Sequence, residues 1–342
     1  MPRIAVILNP NSGKNKKAAP GRGDRLRQIL GDQGVVVETR SLDELRPALV
    51  DLLRSGVECL VSDGGDGALH WLLNEGRLLL EQDPEFAGFR MPPAMPTNGG
   101  TIDFVAKKAG LKGSAEKLVA ALVQTMSGGA PPKEMELDSL EITGIERPNG
   151  QERPFRRLGF ALAAGGVAQR FFDKYYQDGG RGAAGIVSVV TKTVSGQLAD
   201  ALRIPTPSPE LRYNRHLFKP TRARVTLDGK LLPQTEFSGL NVGAFDISLA
   251  GVFRIFPLAK PRGALHFMVG DIRPWEVIRS IPTIARGGLL RSDRLTEVRG
   301  SELIIEALGD EQLAPIIDGE SFPAVQSLTV RPGPAVRLAI LK

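Results

Sequence analysis

The stretch Val57-Glu58-Cys59-Leu60-Val61-Ser62-Asp63-Gly64-Gly65-Asp66-Gly67-Ala68-Leu69-His70 decides the fold of this chain. Its apolar first half predicts a buried parallel strand, and its last residues begin a helical pattern that runs to Asn74. A strand, a glycine turn and a helix N-terminus favour a phosphate site, because glycines let backbone N–H groups approach an anion and the helix dipole attracts it. Asp66 would repel that phosphate unless a metal ion or a proton lies between them. The alternative is a tight strand-to-helix turn.

Two further junctions of the same kind occur in the first half of the chain. An apolar strand from Arg3 to Leu8 leads into Asn9-Pro10-Asn11-Ser12-Gly13-Lys14, which lacks the Gly-Lys-Ser/Thr ending of a Walker A loop. The third junction is Pro96-Thr97-Asn98-Gly99-Gly100-Thr101-Ile102-Asp103-Phe104. Ligands of open parallel sheets bind beyond the carboxyl ends of the strands. We therefore expect the three loops to form one phosphate-binding crevice; three unrelated turns are the alternative.

Between these loops, helical and strand patterns alternate. Helices are predicted at Asp24 to Leu30 and Asp43 to Arg54, with a strand at Val35 to Thr39 between them, and a looser segment at Glu75 to Pro96. The alternation predicts an α/β domain with a parallel sheet. Gly128-Gly129-Ala130-Pro131-Pro132 marks its end, so we assign residues 1–130 to this domain and 131–342 to a second one.

The second domain is predicted to be mainly antiparallel β with inserted helices. Its strand and hairpin patterns cover Met135 to Ile142, Phe155 to Ala163, Arg222 to Leu227, Glu302 to Ala307 and Ser327 to Val330. The last strands could return to the cleft between the domains.

Two apolar helices are predicted inside the second domain, Ile186 to Leu202 and Trp275 to Leu290. Core packing is the ordinary interpretation of such helices. The alternatives are the wall of an apolar pocket and a face that contacts a membrane.

The segment Ile316-Ile317-Asp318-Gly319-Glu320 places two carboxylates beside a glycine. One interpretation of this segment is a plain Asp-Gly hairpin turn. The other is a general-base site, in which Glu320 or Asp318 takes a proton from an acceptor hydroxyl.

Composition limits the remaining classes of function. The chain has 342 residues, a net charge of +6 and one cysteine, Cys59, which excludes an internal disulfide and a cysteine-based zinc site. The local cluster Lys14, Lys16, Lys17, Arg22, Arg25 and Arg27 is interpreted as a solvated face. Basic and aromatic residues do not alternate in a pattern that would favour nucleic-acid binding. No signal peptide or run of transmembrane length is visible, so we expect a cytoplasmic protein.

Together these residues resemble the diacylglycerol kinase catalytic family, which includes bacterial diacylglycerol, sphingosine and ceramide kinases. Asn9-Pro10-Asn11-Ser12-Gly13 is similar to its first nucleotide motif, and Gly64-Gly65-Asp66-Gly67-Ala68 to its Gly-Gly-Asp-Gly-Thr signature. Gly99-Gly100-Thr101-Ile102-Asp103 resembles its Gly-Gly-Thr-x-Asn loop, and Asp318-Gly319-Glu320 its C-terminal Asp-Gly-Glu.

The resemblance implies a lipid kinase. ATP would lie on the three loops, in the cleft between the domains, with Thr39 near it, and Mg²⁺ would accompany it. Asp66 would position the metal ion and the phosphates. Glu320 with Asp318 would activate the hydroxyl of a lipid or lipid-like alcohol that the second domain binds. Peripheral membrane contact would follow from that substrate. The resemblance does not indicate an oligomeric state.

Three departures from the family pattern are visible. Ala68 lacks the hydroxyl of the signature threonine, and Asp103 adds a negative charge to the third loop. Arg262 stands where some bacterial members have an aspartate that holds a structural metal, so we expect no metal there. These departures leave two other hypotheses: a nucleotide- or lipid-binding protein with reduced or lost catalysis, and a kinase for a soluble acceptor.

Overall fold

The computed structural model describes residues 3–17, 21–179, 182–202, 215–249, 253–260, 262–290 and 292–341. The chain divides into two compact units, one formed by Met1–Leu137 with Ala335–Lys342 and the other by Asp138–Pro334. The division falls after Leu137, whereas the sequence places it after residue 130. The reason is that the strand Lys133–Leu137 pairs into the sheet of the first unit.

The first unit contains a six-stranded sheet in the order β2-β1-β3-β4-β21-β5. Its strands are β1 (Ile4–Leu8), β2 (Gly34–Glu38), β3 (Cys59–Asp63), β4 (Ala94–Pro96), β5 (Lys133–Leu137) and β21 (Val336–Ile340). All neighbours are parallel except β5, which runs antiparallel to β21. The predicted parallel sheet is confirmed. The sequence did not indicate that the last strand of the chain inserts between β4 and β5.

The helices of the first unit follow the predicted alternation. They are α1 (Arg22–Leu30), α2 (Leu42–Arg54), α3 (Asp66–Gln82), α4 (Phe104–Lys108) and α5 (Ala115–Met126). Ser41 and Ser114 cap α2 and α5 by accepting backbone N–H bonds from Glu44 and Lys117. The expected end of α3 near Asn74 is wrong, because buried leucines continue at helical spacing to Leu79.

Apolar side chains on one face of this sheet form the main core of the first unit with α1 and α5. Alternate strand residues face those helices, as expected for a period of two. The core residues include Ile4, Val6, Cys59, Val61, Leu26, Leu30, Leu118 and Leu122. The intervening residues Ala5, Ile7 and Leu60 are also buried, so both faces of the sheet are covered.

Cys59 offers a direct test of this core. It is fully buried, and burial raises the pKa of its thiol to about 12. Because the thiolate is the reactive form, we expect no alkylation of the folded protein at pH 8 and complete alkylation in guanidinium chloride. Mass spectrometry after iodoacetamide treatment measures both. Rapid labelling of the folded protein would contradict the placement of β3.

The second unit consists mainly of antiparallel sheets, as predicted. One sheet has the order β10-β9-β17-β20-β6-β7, with β11 also pairing with β9, and a second has the order β16-β15-β12-β8-β18-β19; β13 and β14 form a separate pair. The strands are β6 (Leu140–Glu146), β7 (Arg153–Gly159), β8 (Ala161–Gly165), β9 (Thr221–Leu227), β10 (Lys230–Leu231), β11 (Glu236–Phe237), β12 (Gly239–Gly243), β13 (Ile247–Leu249), β14 (Phe253–Ile255), β15 (Leu265–Gly270), β16 (Leu295–Gly300), β17 (Leu303–Ala307), β18 (Ile316–Ile317), β19 (Glu320–Ser321) and β20 (Val325–Pro332). The predicted strand Met135 to Ile142 is divided between β5 and β6 and therefore between the two units.

The helices that accompany these sheets include α6 (Gly166–Gln177), α7 (Gly182–Ala201) and α8 (Pro274–Ala285). Glu276 caps α8 by accepting the backbone N–H of Arg273 at 2.8 Å. The helix ends before the predicted Leu290, because Gly287 adopts a φ of 77°. In the described part of the chain, no helix has the length and apolar character needed to cross a membrane.

Candidate functional site

The loops after β1, β3 and β4 lie against one another at the carboxyl edge of the sheet. The Lys14 N–H donates to the Gly99 carbonyl at 3.0 Å, and the Gly99 N–H donates to the Gly64 carbonyl at 3.1 Å. The Asn9 N–H donates to the Asp63 carbonyl at 3.0 Å. Backbone hydrogen bonds therefore hold the three predicted loops together as one surface.

Two glycines make the closest approach between these loops. A Cβ atom built on Gly65 would lie 2.8 Å from the Cα of Gly100, inside any normal contact distance. A Cβ on Gly64 would collide with the methyl group of Ala68. Any larger residue at Gly65 would separate the second loop from the third, so the glycines are needed for this packing.

The N-terminus of α3 lies at this surface, directly after the second loop. Gly65 is its N-cap and, as a glycine, supplies no capping side chain. The first backbone N–H groups of a helix have no partner within the helix, and the helix dipole makes them attractive to an anion. α3 has 17 residues, so its dipole is fully developed.

Asp66, the first residue of α3, has a structural contact that sequence reasoning missed. Its Oδ2 accepts the Phe104 N–H at 3.2 Å, and its Oδ1 accepts the Val105 N–H at 3.1 Å. The carboxylate therefore accepts the first two backbone N–H groups of α4 and joins the second loop to the third. Spacing along the chain could not reveal this bond, because the partners are 38 and 39 residues away.

Asp103, the unexpected charge of the third loop, is buried and has a cation beside it. The Lys14 Nζ lies 2.7 Å from its Oδ2, and the Gly100 N–H donates to its Oδ1 at 2.8 Å. Only 2% of the Asp103 side chain is exposed, against 56% of Lys14. The ion pair places a lysine ammonium on the outer side of the three loops and offsets the negative charge of Asp103.

This pair can be measured by a double-mutant cycle. We expect Lys14→Met to lower the free energy of unfolding by about 1–3 kcal/mol, because the Asp103 carboxylate stays buried without its cation. Adding Asp103→Asn should recover much of the loss, with a coupling energy of about 0.5–3 kcal/mol. Urea denaturation of the four proteins measures it. Additive effects would show that the two side chains do not interact.

A second buried carboxylate, Asp63, lies beneath the loops and was not predicted as a site residue. Arg22 binds it with two bonds of 2.8 Å, from Nε and Nη2, and the Thr97 hydroxyl donates to it at 2.8 Å. Asp63 is fully buried, and its bonds raise the pKa of the Arg22 guanidinium. The interpretation of Arg22 as part of a solvated face is therefore wrong.

The other predicted residues of the first and second loops have defined places. Asn9 Oδ1 accepts the Asn11 N–H at 2.9 Å, and the Ser12 hydroxyl donates to the Gly99 carbonyl at 3.3 Å. Thr39 is buried directly after β2. Pro10 lies in the turn after β1, Gly67 and Ala68 in the first turn of α3, and Thr101 beside Gly13.

Asp318 and Glu320 belong to a tight hairpin between β18 and β19 in the second unit. Asp318 and Gly319 form its turn with φ angles of 52° and 92°. The buried Asp318 carboxylate accepts the N–H groups of Phe160 and Ala161, both at 2.9 Å to Oδ1. Glu320 is half-buried opposite Ile317. Asp318 therefore anchors the turn, while Glu320 keeps a solvent-accessible side chain.

The two apolar helices predicted from the sequence, α7 and α8, line a cavity of about 250 Å³ in the second unit. α6 and the strands β12, β14, β15 and β16 also contribute to its wall. The apolar lining includes Phe171, Phe172, Val190, Val194, Met268, Ile278, Ile281 and Leu295. Of the interpretations left open for these helices, the pocket wall is the one that the geometry matches.

The loop in which some family members hold a metal is held here by protein groups. The Gly263 N–H donates to Asp138 Oδ2 at 2.7 Å, and Arg262 Nε lies 3.7 Å from Asp138 Oδ1. Among the residues that the structure describes, no cluster of three acidic, histidine or cysteine side chains could hold a metal ion. The absence of a structural metal stays a prediction.

Comparison with known families covers both units. Residues 3–130 match the diacylglycerol kinase catalytic domain, and residues 186–340 match the YegS C-terminal NAD kinase beta sandwich-like domain. The two matches together support the diacylglycerol kinase catalytic family. This confirms the family resemblance and the predicted combination of an α/β domain and an antiparallel β domain.

Solved structures of proteins described as diacylglycerol kinases have a similar fold. One, a diacylglycerol kinase from Bacillus anthracis str. Sterne, has a TM-score of 0.53 and 14% identity, covering 99% of this chain and 96% of that one. Another from the same strain, provisionally described as a diacylglycerol kinase, has a TM-score of 0.59 and 15% identity. The match covers 97% of this chain and 94% of that one. No curated protein matches the sequence.

Proposed function

We propose that this chain is an ATP-dependent lipid kinase. It would transfer the γ-phosphoryl group of ATP to a hydroxyl of a lipid or lipid-like alcohol of the diacylglycerol, sphingoid-base or ceramide class. The observation that carries the proposal is the apolar cavity of about 250 Å³ in a chain of this kinase family. A largely apolar pocket with few polar groups suits the body of such an acceptor.

The joined loops would bind the nucleotide phosphates. The glycines of the second and third loops bring backbone groups close together, and the N-terminus of α3 attracts negative charge. Lys14 would add an ammonium that Asp103 and the Asn98 carbonyl hold in place. The remaining contact surface would come from Asn9, Pro10, Asn11, Ser12, Gly13, Thr39, Gly64, Gly65, Gly67, Ala68, Gly99, Gly100 and Thr101. These features fit a phosphate chain better than they fit a neutral ligand.

Mg²⁺ would be held chiefly by the phosphates of ATP. Magnesium commonly binds in this way, with one or two protein carboxylates, and it neutralises phosphate charge during transfer. Asp66 is the carboxylate at the start of α3 that we assign to it. Its two backbone bonds fix its position beside the loops.

Glu320 is the residue that we assign as general base. Its side chain is partly accessible to solvent, whereas the buried Asp318 carboxylate accepts the backbone N–H groups of Phe160 and Ala161. Asp318 would act by fixing the turn that presents Glu320. This division of roles refines the sequence-based hypothesis, in which either carboxylate could be the base.

We further propose that the protein acts in the cytoplasm and contacts membranes peripherally to reach its acceptor. Trp275 at the start of α8 and Leu289 beyond its end are 43% and 37% exposed, which suits insertion into a lipid interface.

A binding protein without catalysis is the second candidate, and Ala68 is the observation that favours it. Restoring the family pattern with Ala68→Thr and Asp103→Asn tests it. A large gain in turnover would show that the natural chain is a weakened kinase. A kinase for a soluble acceptor is tested by activity that needs no vesicles or detergent.

The proposal as a whole is tested by ADP release in the presence of ATP, Mg²⁺ and lipid vesicles. We expect release to depend on the lipid and to require Mg²⁺. Tight ATP binding without lipid-dependent ADP release would support the binding protein instead. ADP release stimulated only by water-soluble alcohols would support the soluble acceptor.

A further inference from the structure

The volume of the apolar cavity in the second unit limits what it can hold. An apolar cavity of about 150 Å³ holds one benzene molecule, so each carbon atom of a bound hydrocarbon takes about 25 Å³. At that density the cavity of about 250 Å³ in this protein holds about ten carbon atoms. The two acyl chains of an ordinary membrane lipid contain several times as many.

The length of the cavity leads to the same number. On α7, Ile186, Val190 and Val194 line it at intervals of four residues. A helix rises about 1.5 Å per residue, so this stripe is about 12 Å long. An extended polypeptide advances about 3.3–3.6 Å over its three backbone bonds, which is about 1.2 Å per bond, and a hydrocarbon zigzag is similar. A hydrocarbon chain that lies along the stripe therefore extends over about ten bonds.

The cavity lining offers few polar groups to a ligand. Its residues with polar side chains are Thr193, Ser238 and Asn241. The Thr193 hydroxyl donates to the Val189 carbonyl at 2.7 Å. The Ser238 hydroxyl donates to the Ile272 carbonyl at 3.0 Å, and the Oδ1 of Asn241 is fully buried. The cavity therefore suits methylene groups, and the polar end of an acceptor must stay outside it.

We propose that the cavity takes one hydrocarbon chain of the acceptor and holds about ten of its carbon atoms. Carbon atoms further along that chain, and any second chain, stay outside the cavity. The inference rests on the proposed function for the identity of the cavity as the acceptor site. It makes single-chain alcohols of medium length sufficient ligands, and it predicts that a second chain adds almost no affinity.

The first test measures binding without nucleotide, by displacement of a fluorescent fatty-chain probe from the full-length protein. The ligands are the linear primary alcohols from butanol to tetradecanol. Each methylene group that enters the cavity should tighten binding about fourfold. We expect this gain to stop at a cut-off of about ten carbon atoms. A gain that continues to tetradecanol, or that stops before octanol, would overturn the inference.

A matched pair of glycerol esters tests whether the cavity takes one chain or two. Dioctanoylglycerol differs from monooctanoylglycerol by a second chain of the same length. We expect the two affinities to agree within about fourfold, the effect of a single methylene group. A larger advantage for dioctanoylglycerol would show that the second chain also enters and would overturn the one-chain limit.

Filling the cavity should move the cut-off to shorter chains. Val190→Phe on α7 adds carbon atoms to the lining and should shorten the cut-off by about four carbons, and Ile281→Phe on α8 by about three. Val187→Phe is the matched control, because Val187 lies on the same helix as Val190, is 50% exposed and is not among the described lining residues. An unchanged cut-off in a filling variant that still binds the probe, or an equal shift in Val187→Phe, would overturn the assignment.

Because these assays contain no ATP, they are independent of phosphoryl transfer. The expected cut-off in a protein that phosphorylates no lipid would contradict the proposed function and leave the chain-length limit standing. Lipid phosphorylation by a protein whose affinity for alcohols rises without a cut-off would do the reverse.

Discussion

Replacing Glu320 with glutamine is expected to lower the rate of phosphoryl transfer by about 10²–10⁴-fold, the usual contribution of a general base. Glutamine keeps the size of the side chain and preserves the hairpin, whose turn depends on Asp318 and Gly319. Affinity for ATP should be almost unchanged, because the loops of the first unit do not include Glu320. Turnover and nucleotide binding by calorimetry measure the two quantities.

The matched control for this variant is Glu306→Gln. Glu306 lies on β17, is about half-exposed and pairs with Arg224 at the surface, so its loss should leave turnover within a factor of about two, given the small energy of surface ion pairs. Asp318→Asn should behave differently from both: it weakens the bonds to Phe160 and Ala161 and should reduce stability as well as activity. Full turnover in Glu320→Gln would remove Glu320 from the mechanism.

Replacing Arg22 with methionine is expected to lower the free energy of unfolding by about 3–5 kcal/mol, the typical result of removing one partner of a buried ion pair. Asp63 is fully buried and would lose both of its bonds to the guanidinium. The Thr97 hydroxyl alone would remain beside the charge. Chemical denaturation, followed by circular dichroism, measures the change.

Arg27→Met provides the comparison within the same helix. Arg27 is 48% exposed and pairs with Asp24 three residues earlier, so its loss should change stability by less than about 1 kcal/mol. Adding Asp63→Asn to Arg22→Met should recover part of the lost stability, because the uncompensated charge is removed. A loss in Arg22→Met no larger than that in Arg27→Met would show that the buried pair contributes little.

The sequence predicted the first unit well where the signals are local. Each strand–glycine–helix junction carries its own turn residues, so the three loops and their place at one sheet edge followed from the pattern. Most long-range contacts could not be predicted in this way, and the return of the last strands was expected at the cleft rather than in the first sheet. The Arg22–Asp63 pair joins residues 41 positions apart, and β21 reaches the first sheet from the end of the chain.

Side-chain roles were harder to predict than loop positions. The sequence placed Asp66, Asp318 and Glu320 at functional motifs but could not show which carboxylates are occupied by backbone N–H groups. The buried Oδ1 of Asn241 has no hydrogen-bond partner among the described residues, and the sequence carries no signal of this, because a single asparagine in an apolar strand looks the same whether or not its oxygen has a partner. Only the three-dimensional neighbours decide such cases.

Transfer of labelled phosphate from γ-labelled ATP to a panel of lipids in mixed micelles tests the proposed activity most directly. The panel should include a diacylglycerol, a sphingoid base and a ceramide, with Mg²⁺ present and Glu320→Gln measured in parallel. The account predicts label on an extracted lipid and its near-complete loss in the variant. No label on any lipid, or equal label with both proteins, would contradict it.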